Sequence, residues 1–168
     1  MTKTMVAAAK RIIKSAMRPE LKCAFMNYLP DGEPRWCVCS GYIGVRFKEE
    51  LPLEPMSEAA PFNMNSICVK PDNAKELALP SVADVKQHIK ANRVPDGKKA
   101  VPAAFLLDEE LGLWVNPKFL VDAMECLPRC RVWAASAIGV IFFESDVGEG
   151  VLMPVMFKKI RGVKCNEI

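Results

Sequence analysis

The sequence predicts an α+β fold, an antiparallel sheet with two helices on one face and a loop and helix inserted between its halves. Three observations carry that reading. Residues 1–19 and 116–128 each repeat apolar side chains at helical spacing and close on a proline. Each is followed by short apolar segments of strand character, separated by turns rich in Gly, Pro and Asp. Between them, residues 49–65 switch to prolines and glutamates, the composition of a connection running over the surface. The repeated order of helix and β-meander suggests two related halves, 1–48 and 113–158, around an insertion at 49–112 and before a basic tail at 159–168. All 168 residues are expected in one domain.

The first helix is drawn from MTKTMVAAAKRIIKSAMRP. Met5, Ala9, Ile12, Ile13, Ala16 and Met17 make its apolar stripe, Thr2 or Thr4 supplies a cap, and Pro19 stops it. Lys3, Lys10, Lys14 and Arg18 fall together on the opposite side, with Arg11 at the margin. Five cations and no anion across residues 3–18 depart from the mixed signs of a merely solubilising face. Residues 21–28 alternate as a strand, with Leu21, Cys23 and Phe25 on one side and Ala24, Met26 and Tyr28 on the other. Pro30-Asp31-Gly32-Glu33-Pro34 turns the chain, 35–40 return as its partner, and Gly41 and Gly44 bend the segment leading into another strand.

In the insertion, 64–70 read as a short strand and 79–94 as a helix. Ser81 caps that helix, Val82, Val85 and Ile89 line its inner side, and Pro95-Asp96-Gly97 ends it. His88 has no Cys or second His near it and reads as a surface or boundary residue rather than a ligand or base. Gly97-Lys98-Lys99 is a basic patch, Asp108-Glu109-Glu110 an acidic surface turn, and 112–115 a short strand. The next helix has Asn116 as cap, Pro117 in its first turn and Pro128 at its close. Its stripe is Phe119, Leu120, Ala123, Met124 and Leu127, and Lys118 can pair with Asp122 one turn on. Residues 131–135, a segment to Glu144 in which Ile138, Val140 and Phe142 alternate, and 151–157 complete the sheet. Pro154 places the last strand at an edge or a bulge, or points its nitrogen outward from the ladder.

Composition excludes several function classes. No run reaches the roughly 18 apolar residues of a membrane span, and the first helix is too rich in alanine to anchor on a bilayer. Seven cysteines scattered through a core-sized chain suggest buried thiols in a reducing cytoplasm, with Cys37 and Cys39 on one strand face and Cys126 and Cys130 a turn apart. One histidine and no C-x-x-C argue against zinc, and no phosphate loop, nucleophile–base set or cofactor motif occurs. Cys39 beside Ser40-Gly41 reads as a structural thiol rather than a nucleophile. The net charge of +3 is unevenly spread: residues 1–48 hold nine Lys/Arg against three Asp/Glu, 49–128 eight against thirteen, and 129–168 six against four. Such a split can steer a polyanion to one surface.

Several motifs resemble a known family. Arg18-Pro19, Leu21-Lys22 and then Cys39-Ser40-Gly41-Tyr42-Ile43-Gly44-Val45 resemble the "RP-x-L" and "A-T-D-G-Y/H-R-L" segments of the bacterial DNA polymerase processivity clamps. The run from Trp114-Val115-Asn116-Pro117-Lys118 through Asp122-Ala123-Met124 is similar to the clamp's strand and "K-x-L-x-D-A-L" helix, and Val151-Leu152-Met153-Pro154-Val155 to its closing "V-L-M-P-M/V" strand. Ser40-Gly41 stands where the family has Thr-Asp-Gly, and the helix in 49–112 is additional. The resemblance implies helices facing duplex DNA, an outer shell of strands, and domains joined edge to edge. A ring of six such domains would need six copies of a one-domain chain.

The expected function is therefore a non-enzymatic, sequence-independent association with double-stranded DNA through its phosphate backbone. Lys3, Lys10, Arg11, Lys14 and Arg18 are the expected contacts, assisted by Lys118 and Arg129. No cofactor, metal or membrane is expected, and self-association through sheet edges is an accompanying expectation. The alternative is a protein-interaction module of the replication machinery that uses the same fold without encircling DNA; an exposed apolar groove ringed by mixed charge would favour it.

Overall fold

In a computed structural model the residues described are 1–54, 56–57, 60–61, 63–97 and 99–156. The basic tail, the end of the expected last strand at Phe157, and Lys98 of the Gly97-Lys98-Lys99 patch lie outside them. Helix α1 (Lys3–Ser15) leads into a 3₁₀ turn (Pro19–Leu21) and the meander β1 (Ala24–Tyr28), β2 (Pro34–Cys39) and β3 (Ile43–Phe47). Residues 49–112 supply β4 (Met56–Ser57), β5 (Lys75–Leu77), α2 (Val82–Ala91), and the strands β6 (Arg93–Asp96), β7 (Lys99–Pro102) and β8 (Phe105–Asp108). Strand β9 (Leu113–Val115), α3 (Pro117–Cys126), and the meander β10 (Arg131–Ala134), β11 (Ile141–Ser145) and β12 (Gly148–Leu152) follow.

Local chemistry sets the helix starts. The Thr2 hydroxyl accepts from Met5 N, the Ser81 hydroxyl from Asp84 N, and the Asn116 side chain from Lys118 N, each satisfying an otherwise orphaned first-turn donor. Helix α1 ends at Ser15, short of Pro19: Ala16 has extended backbone (ψ 129°) and donates its N–H to Ile13 O. The expected stripe shifts as a result: Met5, Ala8, Ala9 and Ile12 are buried, whereas Met17 lies beyond the helix and is 77% exposed.

Eight strands form one sheet in the order β4-β1-β2-β3-β12-β11-β10-β5, antiparallel throughout except where β4 runs parallel to β1. The two meanders mirror each other about the central β3–β12 pair, in which Val45 faces Gly150 and Phe47 faces Gly148. Helices α1 and α3 pack side by side over this centre, and α2 packs on the far flank of α3. Helix α2 thus widens the helical layer from the expected two helices to three among the described residues.

Both faces of the sheet are covered, because its strands are apolar on both sides. Val38, Phe47, Val132, Ile141, Phe143 and Leu152 face the helices and pack with Ile12, Val85 and Leu120 of the helices and with Leu127 just past α3. Phe25, Cys37, Cys39, Trp133, Phe142 and Val151 face the other way and are covered by Leu21, Met64 and Cys68. The segment expected as a strand at 64–70 instead opens with a 3₁₀ turn (Met64–Ser66) and lies over this second core. Arg46 fastens it there: its guanidinium donates to Asn65 Oδ1 (2.8 Å), Cys68 O (3.0 Å) and the cross-strand Glu149 carboxylate (2.6 Å). Lys70 Nζ sits 3.9 Å over the Trp133 ring, a second tie.

Several expected boundaries move for similar reasons. Residues 19–21 form a turn, so β1 starts only at Ala24. Residues 136–140 precede β11, leaving Ile138 67% exposed, and Ile141 with Phe143 form the inward pair in place of Ile138, Val140 and Phe142. Strand β12 stops at Leu152, so Pro154 takes no part in the ladder. Pro95 and Asp96 belong to the β6–β7 hairpin, and α2 ends earlier, at Ala91.

Candidate nucleic-acid interface

The helical layer presents a groove of about 730 Å³ lined from all three helices. Ala7 of α1, Ile89 of α2, and Phe119 and Val121 of α3 make its apolar floor, and Lys3, Lys14, Lys86 and Lys118 stand around it. Stacking of Phe119 on Tyr42 (centroids 5.9 Å, 15° between planes) fixes the start of α3 against the β2–β3 turn.

Arg11 is engaged differently. Its Nε donates to Asp122 Oδ1 at 2.6 Å and its Nη2 to Glu125, joining α1 to α3. Lys86 Nζ donates to the other Glu125 oxygen at 2.6 Å and joins α2 to α3. Asp122, expected to pair with Lys118, pairs with Arg11, because α1 brings a guanidinium within reach while Lys118 Nζ makes no ion pair among the described residues. The network therefore offsets part of the positive field at the groove floor and holds the helices in line.

The remaining expected contacts separate. Lys10 is exposed on the other flank of α1, beside Pro52. Arg18, beyond the end of α1, is exposed in a second depression of about 450 Å³ near Tyr42, with Glu20 3.9 Å away. Arg129 is exposed in the loop after α3, with left-handed backbone (φ 54°), and does not line the groove. Of the seven expected residues, then, the groove gathers Lys3, Arg11, Lys14 and Lys118, and adds Lys86. Lys86 had a detectable signal: it sits next to Val85 and three residues before Ile89, at the margin of the apolar stripe of α2.

Burial pushes the Asp122 carboxyl above its ordinary range, with Arg11 offsetting part of the effect. Burial also raises Glu125, but hydrogen bonds from Lys86 and Arg11 outweigh it and leave the group below its ordinary value. By linkage, Glu125 stabilises the fold above its unfolded pKa, about 4.3, and that contribution is lost as pH falls through the lower folded value. Asp122 has the opposite sign: its contribution is present below the unfolded value and lost as pH rises through the folded one. Glu125→Gln is accordingly expected to reduce the loss of stability between pH 6 and pH 3.5, by about 1 kcal/mol after allowing for the half-exposed Arg11. Urea unfolding of both proteins at the two pH values measures it; equal losses would show that Glu125 is not held below its ordinary pKa.

Other chemically active groups are occupied or masked. Burial raises the Cys37, Cys39 and Cys126 thiols, and pushes Cys68 up to about 12 and Cys130 to about 11, so these are not thiolates near neutrality. His88 is half-buried, with Nε2 3.1 Å from Ala103 O and Nδ1 3.1 Å from the Asn92 amide. In the acidic turn, Asp108 and Glu110 both pair with Lys75. Among the described residues no three His, Cys, Asp or Glu side chains converge as a metal site, and no helix is long and apolar enough to cross a membrane.

No protein-family model matches the chain, and no curated protein matches it significantly. Solved structures do. The Helicobacter pylori β clamp bound to a DNA ligase peptide matches at a TM-score of 0.55 and 14% identity, covering 91% of this chain and 64% of the clamp chain. The same clamp in complex with diflunisal matches at 0.54 and 10% identity, covering 90% of this chain and 64% of the other. Its complex with 5-chloroisatin matches at 0.53 and 11%, with the same coverage. The chain thus spans less than two thirds of the length of the clamps it matches. At such identities the likeness is one of shape, and the conclusion is structural: this chain has the α+β fold of the bacterial sliding clamp.

Proposed function

We propose that the protein is a non-enzymatic, clamp-like DNA-associated factor of the cytoplasm that holds duplex DNA against its helical layer. The observation supporting this most directly is the convergence of Lys3, Lys14, Lys86 and Lys118 from three helices on one groove, on a sliding-clamp fold. Lysines on this surface neutralise phosphates without reading bases, so affinity follows counterion release rather than sequence. Lys10, Arg18 and Arg129 are exposed and serve, on this reading, as outlying contacts. Arg11 acts mainly by aligning α1 with α3.

Fluorescence anisotropy with 20-bp duplexes of unrelated sequence tests the proposal. Equal affinities and a steep log–log dependence on salt are expected, with Lys14→Gln lowering the slope by about one. Affinity indifferent to salt would sink it.

A second reading has its own support. The groove floor is apolar, and its Asp122 and Glu125 carboxylates are already taken up by Arg11 and Lys86, leaving Lys3, Lys14 and Lys118 at the rim, which suits a replication partner carrying apolar and acidic side chains. One clamp of similar fold is bound to a DNA ligase peptide. On this reading binding is only weakly salt-dependent and such a peptide competes with any DNA. Self-association through sheet edges has limited material: β4 offers two residues and β5 three, so copies pairing there gain few ladder bonds.

A further inference from the structure

The β6–β7 hairpin follows α2 and packs on it through β7, whose Val101 and Pro102 are half-buried. All four β6 residues are exposed, Val94 by 44%, and the ribbon pairs in the register Arg93–Pro102, Val94–Val101, Pro95–Ala100 and Asp96–Lys99. Its base is fixed. Ala103 N donates to Asn92 O (2.9 Å), Asn92 N to His88 O (2.8 Å), and the Phe105 ring meets His88 edge-on at 5.1 Å. A two-stranded hairpin gains little stability by itself, so one whose β6 is exposed throughout invites a partner.

Two features say which partner. Pro95 and Pro102 each lack the N–H needed for a further ladder, which disfavours pairing with another sheet. The exposed charges are Lys90, Arg93 and Lys99 against Asp96 alone, and Lys98 adds a further cation in sequence. Lys86 and Lys90, one turn apart on α2, carry the line of cations from the groove to the ribbon.

We infer that the β6–β7 ribbon is a second DNA contact that extends the phosphate track of the helical layer past α2. The inference rests on the function proposed above. Four strand residues span roughly 13 Å, or about four base pairs along a duplex. Lys90 and Lys99 contact phosphates there, and Arg93, which also donates to Ala100 O across the ribbon, stiffens it.

The Asn92–Ala103 hydrogen bond makes the test practicable, because residues 93–102 can be replaced by Gly-Gly with the ends already adjacent. Binding of the full chain, the ribbon-less chain, Lys90→Gln/Lys99→Gln and Lys14→Gln/Lys118→Gln to a labelled 30-bp duplex is measured across salt, with circular dichroism as the folding check. Neutralising Lys90 and Lys99 is expected to lower the salt slope by about two and weaken binding roughly 50-fold at 0.1 M salt, whereas removing the ribbon, which takes Lys99 and leaves Lys90 on α2, is expected to lower the slope by about one. The point variant keeps the test decisive if the deletion does not fold. An unchanged slope in the folded ribbon variants, with the Lys14→Gln/Lys118→Gln slope reduced, overturns the ribbon alone. A parent that does not bind, or groove and ribbon variants all matching it, removes the DNA reading as well.

Discussion

Gly148→Ala is expected to cost about 3 kcal/mol or more and to lower Tm by roughly 10 °C. A Cβ at this position would lie 2.2 Å from Arg46 O and 3.1 Å from Phe47 Cα. Those atoms are backbone of β3, the strand on which β12 closes the two halves of the sheet, so they cannot swing aside as a side chain would. Relief requires β12 to move away, which disturbs the Phe47–Gly148 register and the neighbouring Arg46–Glu149 pair that fastens residues 65–68. Gly44→Ala is the matched control: its Cβ would meet the flexible tip of Met64, Cε at 2.9 Å, which can yield. Thermal unfolding of the two variants compares them directly. A Gly148→Ala protein no less stable than Gly44→Ala would mean that the central strand pair is not held at the spacing described.

Neutralising the four groove lysines together, as Lys3→Gln/Lys14→Gln/Lys86→Gln/Lys118→Gln, is expected to flatten the salt dependence of DNA binding by about four units. At 0.1 M salt the affinity falls roughly 10³–10⁴-fold, since each lost phosphate contact forfeits about one released counterion. Glutamine is the chosen replacement because Lys86 lies against Glu125, where an acidic residue would add repulsion to lost attraction. All four lysines are exposed, and only Lys86 is ion-paired among the described residues, so the fold is expected to survive. Arg11 is left in place, because removing it would strand the buried Asp122 carboxylate and confuse stability with binding. Anisotropy titrations at several salt concentrations, alongside unfolding curves, separate the two. If the quadruple variant binds duplex as the parent does, the helical layer is not the DNA surface.

Local rules were the most legible part of the chain. Thr2, Ser81 and Asn116 cap their helices as their side-chain chemistry predicts, because a cap is settled within three residues. Cys37 and Cys39 share a strand face for the same kind of reason. Strand ends were less legible where both faces of the sheet are apolar. The run Ile141-Phe142-Phe143 carries no polar residue to say which side is inward, and that depended on α3 above and Trp133 opposite. The covering of the second face by Met64 and Cys68 was not readable either, since Arg46 holds that segment through partners up to 103 residues away.

The candidate surface divides in the same way. The excess of cations in the opening helix, and its freedom from acids, belongs to the sequence by itself, as do the caps and the α-then-meander order of each half. Tertiary structure alone decided which cations act together. It set Arg18 off the helix, turned Lys10 to the other flank, recruited Lys86 from α2, and gave Arg11 to Asp122, 111 residues along the chain. Capping and helical period are settled by neighbours a few bonds apart, whereas a groove is made only when distant segments pack, and packing assigns each charge its partner.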